Sequence, residues 1–437
     1  MNRRKHLILL FPFFLIVFLI AILLKSCVFS TDALFSSYTS ELFRQEVSSN
    51  AITLHYTLSD PSKYQIHDSP VSFGQVSANP SVIGASAENA LSRLHVFDRD
   101  RLSEENQLLY DLLEENYSSA VDMAPYTLYE EPLSPLTGTQ AQLPVLLSEY
   151  AFHSLDDVNT YLALLRELPA YFQSILEFEQ AKAAAGLFMS DERALAVIEE
   201  CEAFVEMGNS NYLYATFEKR LQELADSEEL SDSGAFADSG AFADSDAYEQ
   251  LISQNARCIE DSVFPAYELL AQGMNELLGS CKNSNGLCHF PDGKTYYELL
   301  VGRITGSDRS IMEMKVLTLN QIITDIEDMQ KALAKFDANL SAQGDTQADT
   351  VSEDDLLVDS NPRAVLLALK EKLAGSFPVP PDVDIDVRYV DASMADYLSP
   401  AFFLIPTIDN YSENTIYINP KHITDDLSLF TTLAIIC

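Results

Sequence analysis

The residues that could carry chemistry in this chain are few and widely spaced. No histidine belongs to an H-E-x-x-H pattern; the histidines lie at positions 6, 55, 67, 95, 153, 289 and 422. That pattern places two imidazoles one helical turn apart, where both can bind one zinc ion while the glutamate activates a water molecule. The sequence therefore predicts no catalytic residue and no metal-binding residue within this chain.

Three aspartates offer an alternative cation site. Asp382, Asp384 and Asp386 alternate along Val383–Tyr389, a stretch whose pattern predicts a strand. Alternate residues of a strand share one face, so three carboxylates could converge on a hard cation. No glycine turn or terminal glutamate follows, as a calcium loop would need, and we favour the solvated face of a half-buried strand.

The six cysteines do not indicate a metal centre or a disulfide scaffold. Cys281, Cys288 and His289 are close in sequence but lack a fourth ligand. Outside the cytoplasm Cys281 could pair with Cys288, or Cys201 with Cys258, with free thiols as the alternative.

The last forty residues contain the clearest local pattern. Polar residues between Asp409 and Asn414 predict a turn, and Thr415–Asn419 predicts a short strand that Pro420 ends. Thr424 offers an N-cap for a helix that reaches Cys437 after barely three turns. We expect the sequence to stop in the middle of an element.

This region resembles the bacterial domain-of-unknown-function 885 (DUF885) family. The resemblance rests on Leu398-Ser-Pro-Ala-Phe-Phe, Pro406-Thr-Ile-Asp, Asn414-Thr-Ile-Tyr-Ile-Asn and Thr431-Thr-Leu-Ala, with weaker matches back to Thr31. Members resemble gluzincin zinc metallopeptidases, and in them the last motif continues as Thr-Leu-Ala-His-Glu-x-x-Pro-Gly-His. The resemblance implies peptidase-type chemistry and an edge strand that lines the cleft and holds extended substrate through its backbone, here Ile416, Tyr417, Ile418 and Asn419.

The pattern departs from the family at the zinc ligands. Ile435 and Ile436 stand where the family has histidine and glutamate, and Cys437 follows. An aliphatic side chain has no lone pair to offer a metal, so we expect no zinc and no cofactor in this chain. Zinc is expected only if a C-terminal part with H-E-x-x-H follows.

The N-terminus predicts attachment to a membrane. Basic residues precede Leu7–Leu24, a run of eighteen residues without charge, and Cys27 follows closely. We expect residues 1–30 to be an anchor or signal segment, and we favour an uncleaved single-pass anchor over a lipid-modified Cys27. Either way, the body lies outside the cytoplasmic membrane.

Composition limits the partners. The formal net charge is −39, with 66 acidic against 27 basic residues, so the surface repels nucleic acid. Peptides, basic ones included, remain compatible partners, although a solvated, soluble exterior explains the charge as well.

The remaining pattern predicts a mainly α fold with a small β-sheet near the C-terminus, of the α+β class. The family resemblance implies that this is an incomplete, gluzincin-like helical metallopeptidase architecture. Helix starts are indicated at Ser103, Ser154 and Ser190, and a stop at Gly186. We interpret His55 as a packed histidine beside Tyr56 in a half-buried strand.

We expect one helical peptidase-like domain over residues 31–437. Within it we predict an exposed low-complexity insertion at 229–247, where Ser-Gly-Ala-Phe-Ala-Asp occurs twice in tandem, and an acidic linker at 339–360.

Two functions remain open. The chain is either the N-terminal portion of a membrane-tethered zinc-metallopeptidase-like protein, inactive without its zinc motif, or a non-catalytic extracytoplasmic peptide-binding module. We favour the first, because a helix that ends within its motif leaves apolar surface unburied.

Overall fold

A computed structural model describes residues 31–135, 137–226, 245–342, 360–373, 383–390, 395 and 398–436. The predicted membrane segment with Cys27, most of the predicted insertion and linker, Asp382 and Cys437 lie outside these residues. Within them, no helix combines the length and the apolar character that crossing a bilayer requires.

The fold is mainly helical with one small sheet near the C-terminus, as the sequence predicts. The helices, in chain order, are α1 at residues 31–47, α2 (Ala51–Thr57), α3 (Pro80–Leu94), α4 (Glu104–Met123), α5 (Thr139–Glu149), α6 (Leu155–Ala185), α7 (Asp191–Glu206), α8 (Tyr212–Asp226), α9 (Ser245–Cys258), α10 (Phe264–Glu276), α11 (Gly293–Thr305), α12 (Ile311–Ala342), α13 (Pro362–Leu373) and α14 (Asp426–Ile436). The strands are β1 (Asp384–Tyr389), β2 (Ala401–Leu404) and β3 (Glu413–Ile418).

Local capping sets several helix ends where the sequence predicts them. The hydroxyls of Ser103, Ser154 and Ser190 each accept a hydrogen bond from the backbone N–H three residues later, at the starts of α4, α6 and α7. Gly186 ends α6 with φ of 73°, a left-handed conformation that glycine adopts without a Cβ penalty.

Helix α6 forms the centre of the core and runs through Pro169, although a proline predicts a break there. The proline removes one backbone N–H, but buried side chains on both sides of it, including Leu165, Leu168 and Phe172, belong to the main core, where Phe172 packs against Tyr267 of α10. Tertiary packing therefore outweighs the local preference, and α6 extends over 31 residues.

The helix that the sequence places around Pro265 has an irregular turn. A π-helical turn, Ile259–Val263, joins α9 to α10, and Pro265 follows directly after it at the start of α10. The irregular turn therefore lies where proline lacks the N–H of a regular helical ladder.

Several boundaries differ from the predicted ones. Helix α9 already contains residues 245–247 of the predicted insertion, and α12 continues through 339–342 of the predicted linker. On α4, the leucines at 108, 109, 112 and 113 follow a helical spacing that predicts one buried side, but Leu108 and Leu112 are exposed. At α14 the Asp425 carboxylate, not Thr424, caps the helix by accepting the Ser428 N–H at 2.7 Å.

The sheet has the order β1-β3-β2, with β1 parallel and β2 antiparallel to β3. Ile416 and Ile418 point to one face and form a second core with α13 and α14. Tyr417, Phe402 and Leu404 point to the other face, towards the main helical core. The sheet therefore separates the C-terminal helices from the larger helical body.

Candidate functional site

A cavity of about 440 Å³ lies where the sheet meets the helical body. Residues 404–407 and Thr415 form its sheet side, and α2, the α5–α6 connection and the first turns of α6 form its helical side. Its size falls in the range of small-molecule and side-chain pockets.

The loop after β2 is fastened to the end of α2, which fixes the width of this cavity. The Asp409 carboxylate accepts the backbone N–H groups of Ser59 at 2.7 Å and Asp60 at 2.9 Å. The Ile408 N–H donates to the Thr57 carbonyl at 3.0 Å. Burial raises the pKa of Asp409, but these backbone donors outweigh it, and the net pKa is lowered.

His55 lies on the cavity wall in the last turn of α2, a helix where the sequence predicts a strand. Its ring stacks on Tyr150 at 3.6 Å between centroids, and its Nε2 accepts the Ala151 N–H at 3.1 Å. Burial, assisted by the nearby His153 and Arg220, lowers the pKa of His55 to about 3. His55 is therefore a neutral imidazole with its proton on Nδ1. The interpretation of His55 as a packed histidine is confirmed.

Glu149 connects the helical body to the sheet. It ends α5, and its carboxylate accepts the hydroxyl of Tyr417 in β3. The Tyr417 ring stacks on Phe402 of β2 at 4.8 Å and 7°. Burial, together with the negative charge of Glu149, raises the pKa of Tyr417, which keeps the phenol protonated as a donor.

A second cavity, of about 280 Å³, lies on the other side of the same connection. Glu149, Ala151 and His153 line both cavities, so this short segment separates them. Lys219 and Arg388 bring positive charge to the second cavity, an unusual concentration in so acidic a chain.

Arg220 forms the floor of the second cavity. Its guanidinium lies 4.6 Å from the Phe152 ring centroid and 4.9 Å from that of Tyr161. It donates to the Tyr150 carbonyl at 2.5 Å and to the Thr216 carbonyl at 2.9 Å. Arg220 thereby fixes the backbone of the segment that carries Glu149 and His153.

The predicted substrate strand lies in the centre of the sheet, so its prediction as an edge strand is wrong. Ile416 is paired with Val387 of β1 on one side and with Phe403 of β2 on the other, and Tyr417 and Ile418 are likewise flanked by both strands. Backbone groups already used in two ladders cannot receive an added peptide.

Asn419 is also committed to structure. It is fully buried, its N–H donates to the Pro400 carbonyl at 2.9 Å, and its side-chain amide donates to the carbonyls of Ala395 and Leu398 at 2.8 and 3.0 Å. These bonds fix the entry to β2, which explains the residue type without a substrate.

The outer edge next to the cavity belongs to β2. The Asn419–Pro400 hydrogen bond sets the register, so Phe402 and Leu404 point their backbone groups at β3, while the N–H and C=O of Phe403 point away. Within the described residues no partner covers these two groups. Phe403 and Ile405 are 42 % and 76 % exposed, so this edge is both unpaired and apolar.

The described aspartates of β1 form ion pairs. Asp384 pairs with Arg363 at 3.0 Å and Asp386 with Arg388 at 2.7 Å, on exposed side chains. The described residues contain no group of three or more His, Cys, Asp or Glu side chains arranged to hold a metal ion. The solvated-face interpretation of β1 therefore agrees with the structure.

Cys201, Cys258, Cys281 and Cys288 are all free thiols, so neither pairing considered from the sequence forms.

The zinc motif of the resembling family does not fit this chain. Helix α14 includes positions 435 and 436, so the backbone there is helical, but both residues are isoleucines without a donor atom. No chemical step through zinc can be derived from these residues.

Sequence reasoning did not identify three residues that shape the site: Glu149, Arg220 and Asp409. The turn around Asp409 is predicted, but its partners are 350 residues away in sequence. Glu149 lies inside Leu143–Phe152, one of the weaker family matches, and Asp409 ends the Pro406-Thr-Ile-Asp match, so the resemblance was the available signal for these two residues.

Comparisons with known proteins agree with this fold. Its likeness to a crystal structure described as "the putative lipoprotein from Colwellia psychrerythraea" has a TM-score of 0.64 at 15% identity, over 93% of this chain and 70% of that one. At that identity the likeness shows a shared fold alone. A search of curated proteins finds no match.

The family model described as "Bacterial protein of unknown function (DUF885)" matches residues 83–435, which is most of the chain and includes α14. The match covers the sheet and most of the helical body, whereas α2, which forms part of the wall of the first cavity, lies before it. The chain belongs to the DUF885 family.

Proposed function

We propose that this chain forms the peptide-binding cleft of an extracytoplasmic, membrane-attached protein related to zinc metallopeptidases. The observation that carries the proposal is the unpaired outer edge of β2 beside the 440 Å³ cavity. Membership of the DUF885 family and the resemblance to gluzincins support the peptidase relationship.

An extended peptide can add to such an edge as a further strand. The Phe403 N–H and C=O would each bind one peptide backbone group, which gives affinity without sequence preference. Residues 404–407 continue from this edge into the cavity wall, so a side chain of the bound peptide can enter the cavity. The exposed side chains of Phe403 and Ile405 favour a peptide with apolar side chains.

The acidic groups give the cleft its polarity. Glu149 and Asp157 line the cavity, whereas His55 is neutral, so a peptide with a basic side chain gains attraction there. Glu149 also holds Tyr417 in place, which limits how far the sheet can move from the helical body.

Cleavage is not part of the proposal for these residues. Because Ile435 and Ile436 provide no ligand, we expect elemental analysis of purified protein to find far less than one zinc per chain and peptide assays to find no hydrolysis. The alternative, a non-catalytic peptide-binding module, predicts the same result for this chain, and peptide affinity is the property that both share.

Membrane attachment rests on the N-terminal segment. The basic residues before Leu7–Leu24 and the lipoprotein description of the structural neighbour both support an extracytoplasmic body. A lipid on Cys27 is supported by that neighbour, and an uncleaved span by the length of the apolar run. If the chain incorporates a labelled fatty acid and the Cys27→Ser substitution abolishes this incorporation, the anchor is a lipid on Cys27 and not an uncleaved span.

The edge of β2 can be tested with one matched pair of proline substitutions. Phe403→Pro removes the outward N–H of β2, and Tyr389→Pro removes an outward N–H on β1, the other outer strand of the described sheet. We expect Phe403→Pro to weaken the binding of an apolar, lysine-containing peptide about 10-fold, the value of one hydrogen bond of about 1.4 kcal/mol.

Tyr389→Pro should leave that affinity unchanged, because β1 lies on the far side of β3 from the cavity. Equal affinities for all three proteins, or no binding by the unsubstituted chain, would remove the basis of the proposal. Circular dichroism and the midpoint of unfolding should match between the two variants.

A further inference from the structure

Helix α12 has an apolar face that the rest of the described chain leaves open. Every residue from 315 to 334 is exposed. A Ser310–Glu313 capping box fixes its start: the Ser310 hydroxyl accepts the Glu313 N–H at 3.3 Å, and the Glu313 carboxylate accepts the Ser310 N–H at 2.9 Å. The helix is thus locally well specified yet unburied, which is the usual mark of an interaction surface.

Nine large apolar side chains are exposed on the described part of this helix. Leu317 lies about 100° round the helix from Val316, and the other eight have a palindromic spacing. At 100° per residue they fall on one stripe, which is wide enough to bury against a neighbouring helix. Their positions are symmetric about the point between Ile322 and Ile323: Met312 with Leu333, Val316 with Met329, Leu319 with Ile326, and Ile322 with Ile323.

A palindromic stripe is complementary to a second copy of itself in the antiparallel direction. In a two-fold symmetric interface the same patch is used twice, so residue i meets j while j meets i. Antiparallel pairing of two α12 helices would place an apolar side chain opposite an apolar one in all eight positions. The polar residues on the stripe, Lys315 and Gln330, would also meet each other.

A parallel arrangement fits less well. In parallel heptad packing the g and e positions that flank the seam meet five residues apart, so Ile322 would lie beside Glu327 of the other copy. The antiparallel arrangement instead brings Glu327 near Asn320, which can donate to it. The pattern therefore selects the antiparallel orientation.

Size and charge agree with a protein partner. Eight large side chains that are 45–69 % exposed provide an area comparable to the roughly 800 Å² per partner of a standard interface. Residues 311–334 contain four acidic and two basic side chains, so an anionic lipid surface would be repelled. We infer that α12 forms a homodimer interface by antiparallel packing against α12 of a second copy of this chain.

The central pair offers the sharpest test. Ile323→Glu places two carboxylates close to the two-fold axis, whereas Thr324→Glu adds the same charge on the opposite side of the same helix. The full chain, purified in detergent, should sediment as a dimer, and Ile323→Glu should raise the dimer dissociation constant at least about 100-fold. Thr324→Glu should change it less than threefold.

The orientation is tested by charge reversal at the outermost pair. Met312→Glu alone should weaken the dimer, and the double variant Met312→Glu/Leu333→Lys should restore it, because antiparallel packing places the two new charges opposite each other. A parallel dimer would place like charges together and would not recover.

Several results would overturn the inference. They are an unsubstituted chain that stays monomeric at a concentration of about 50 µM (about 25-fold above a Kd of about 2 µM), a dimer that Ile323→Glu does not weaken, and a double variant that fails to recover. Binding of the monomer to neutral lipid vesicles, abolished by Ile323→Glu, would assign the face to a membrane instead. Because the helix is exposed in the single chain, circular dichroism should show all variants folded.

Discussion

The contact between Asp409 and α2 offers a quantitative test of how the two ends of the chain are held together. Its carboxylate accepts two backbone N–H groups, from Ser59 and Asp60, across some 350 residues of sequence. The substitution Asp409→Ala removes both acceptors. Among the described residues, the Ile408–Thr57 backbone hydrogen bond then remains between the loop after β2 and α2.

The expected size of the effect follows from the bonds lost. A hydrogen bond to a charged group contributes about 1.5–3 kcal/mol, and partial exposure of this half-buried carboxylate reduces the sum of two to about 2–3 kcal/mol. Local opening should then become about 30- to 150-fold more frequent. Hydrogen exchange at the amides of Ser59 and Asp60 measures this directly.

A matched control distinguishes the loss of the Asp409 hydrogen bonds from the loss of one negative charge. Asp386→Ala removes an aspartate whose partner, Arg388, lies 2.7 Å away on exposed side chains, a surface pair worth less than about 1 kcal/mol. We expect little change in its unfolding midpoint and none in exchange at Ser59 and Asp60. If the two variants behave alike, the hydrogen bonds from Ser59 and Asp60 to Asp409 do not hold the sheet to α2.

The pH dependence of this effect has a definite sign. The pKa of Asp409 is lowered in the folded state, so its contribution is fully present above the unfolded-state pKa of about 3.9. The contribution is lost as pH falls through the folded-state pKa. The difference between the unsubstituted chain and Asp409→Ala should therefore be constant from pH 5 to 8, close to full at about pH 3.9 and shrink below it.

Three further predictions concern buried polar groups. Tyr417→Phe removes the hydroxyl whose hydrogen bond Glu149 accepts and leaves the carboxylate facing an apolar ring. Denaturant unfolding should therefore show that the free energy of unfolding falls by about 1–3 kcal/mol. A decrease below about 0.5 kcal/mol, the size expected for a surface substitution, would contradict this. His55, with a pKa of about 3, should show no change in its imidazole NMR shifts from pH 8 to 5, and a midpoint near 6.5 would show that it is solvated. Glu179 is fully buried with both oxygens unbonded within the described residues, and burial raises its pKa to about 7 despite Lys182 at 3.6 Å. Its protonated form favours the fold, so stability should decline as pH rises from about 4.3 to 7, and Glu179→Gln should remove that decline in urea titrations.

Features that depend on nearby residues could be predicted from the sequence. The caps of α4, α6 and α7 and the glycine end of α6 depend on residues within a turn of each other, so Ser103, Ser154, Ser190 and Gly186 indicate them directly. The family resemblance, the acidic charge and the lack of zinc ligands at positions 435 and 436 are also properties of residue types.

Features that depend on distant residues required the tertiary structure. His55 lies in a helix because Tyr150 and Ala151, almost one hundred residues later, stack on it and bond to it. Pro169 remains inside α6 because the surrounding core offsets its missing hydrogen bond.

The sheet shows the same division. Alternation in sequence predicts β1 and β3 as strands, since side-chain direction follows from the backbone of each strand alone. Which strand is central depends on pairing between segments far apart, and no local pattern encodes it. The sequence by itself therefore determined where β1 and β3 form and that isoleucines occupy positions 435 and 436. Only the tertiary structure decided that β2, and not β3, is the strand with an unpaired backbone edge beside the cavity.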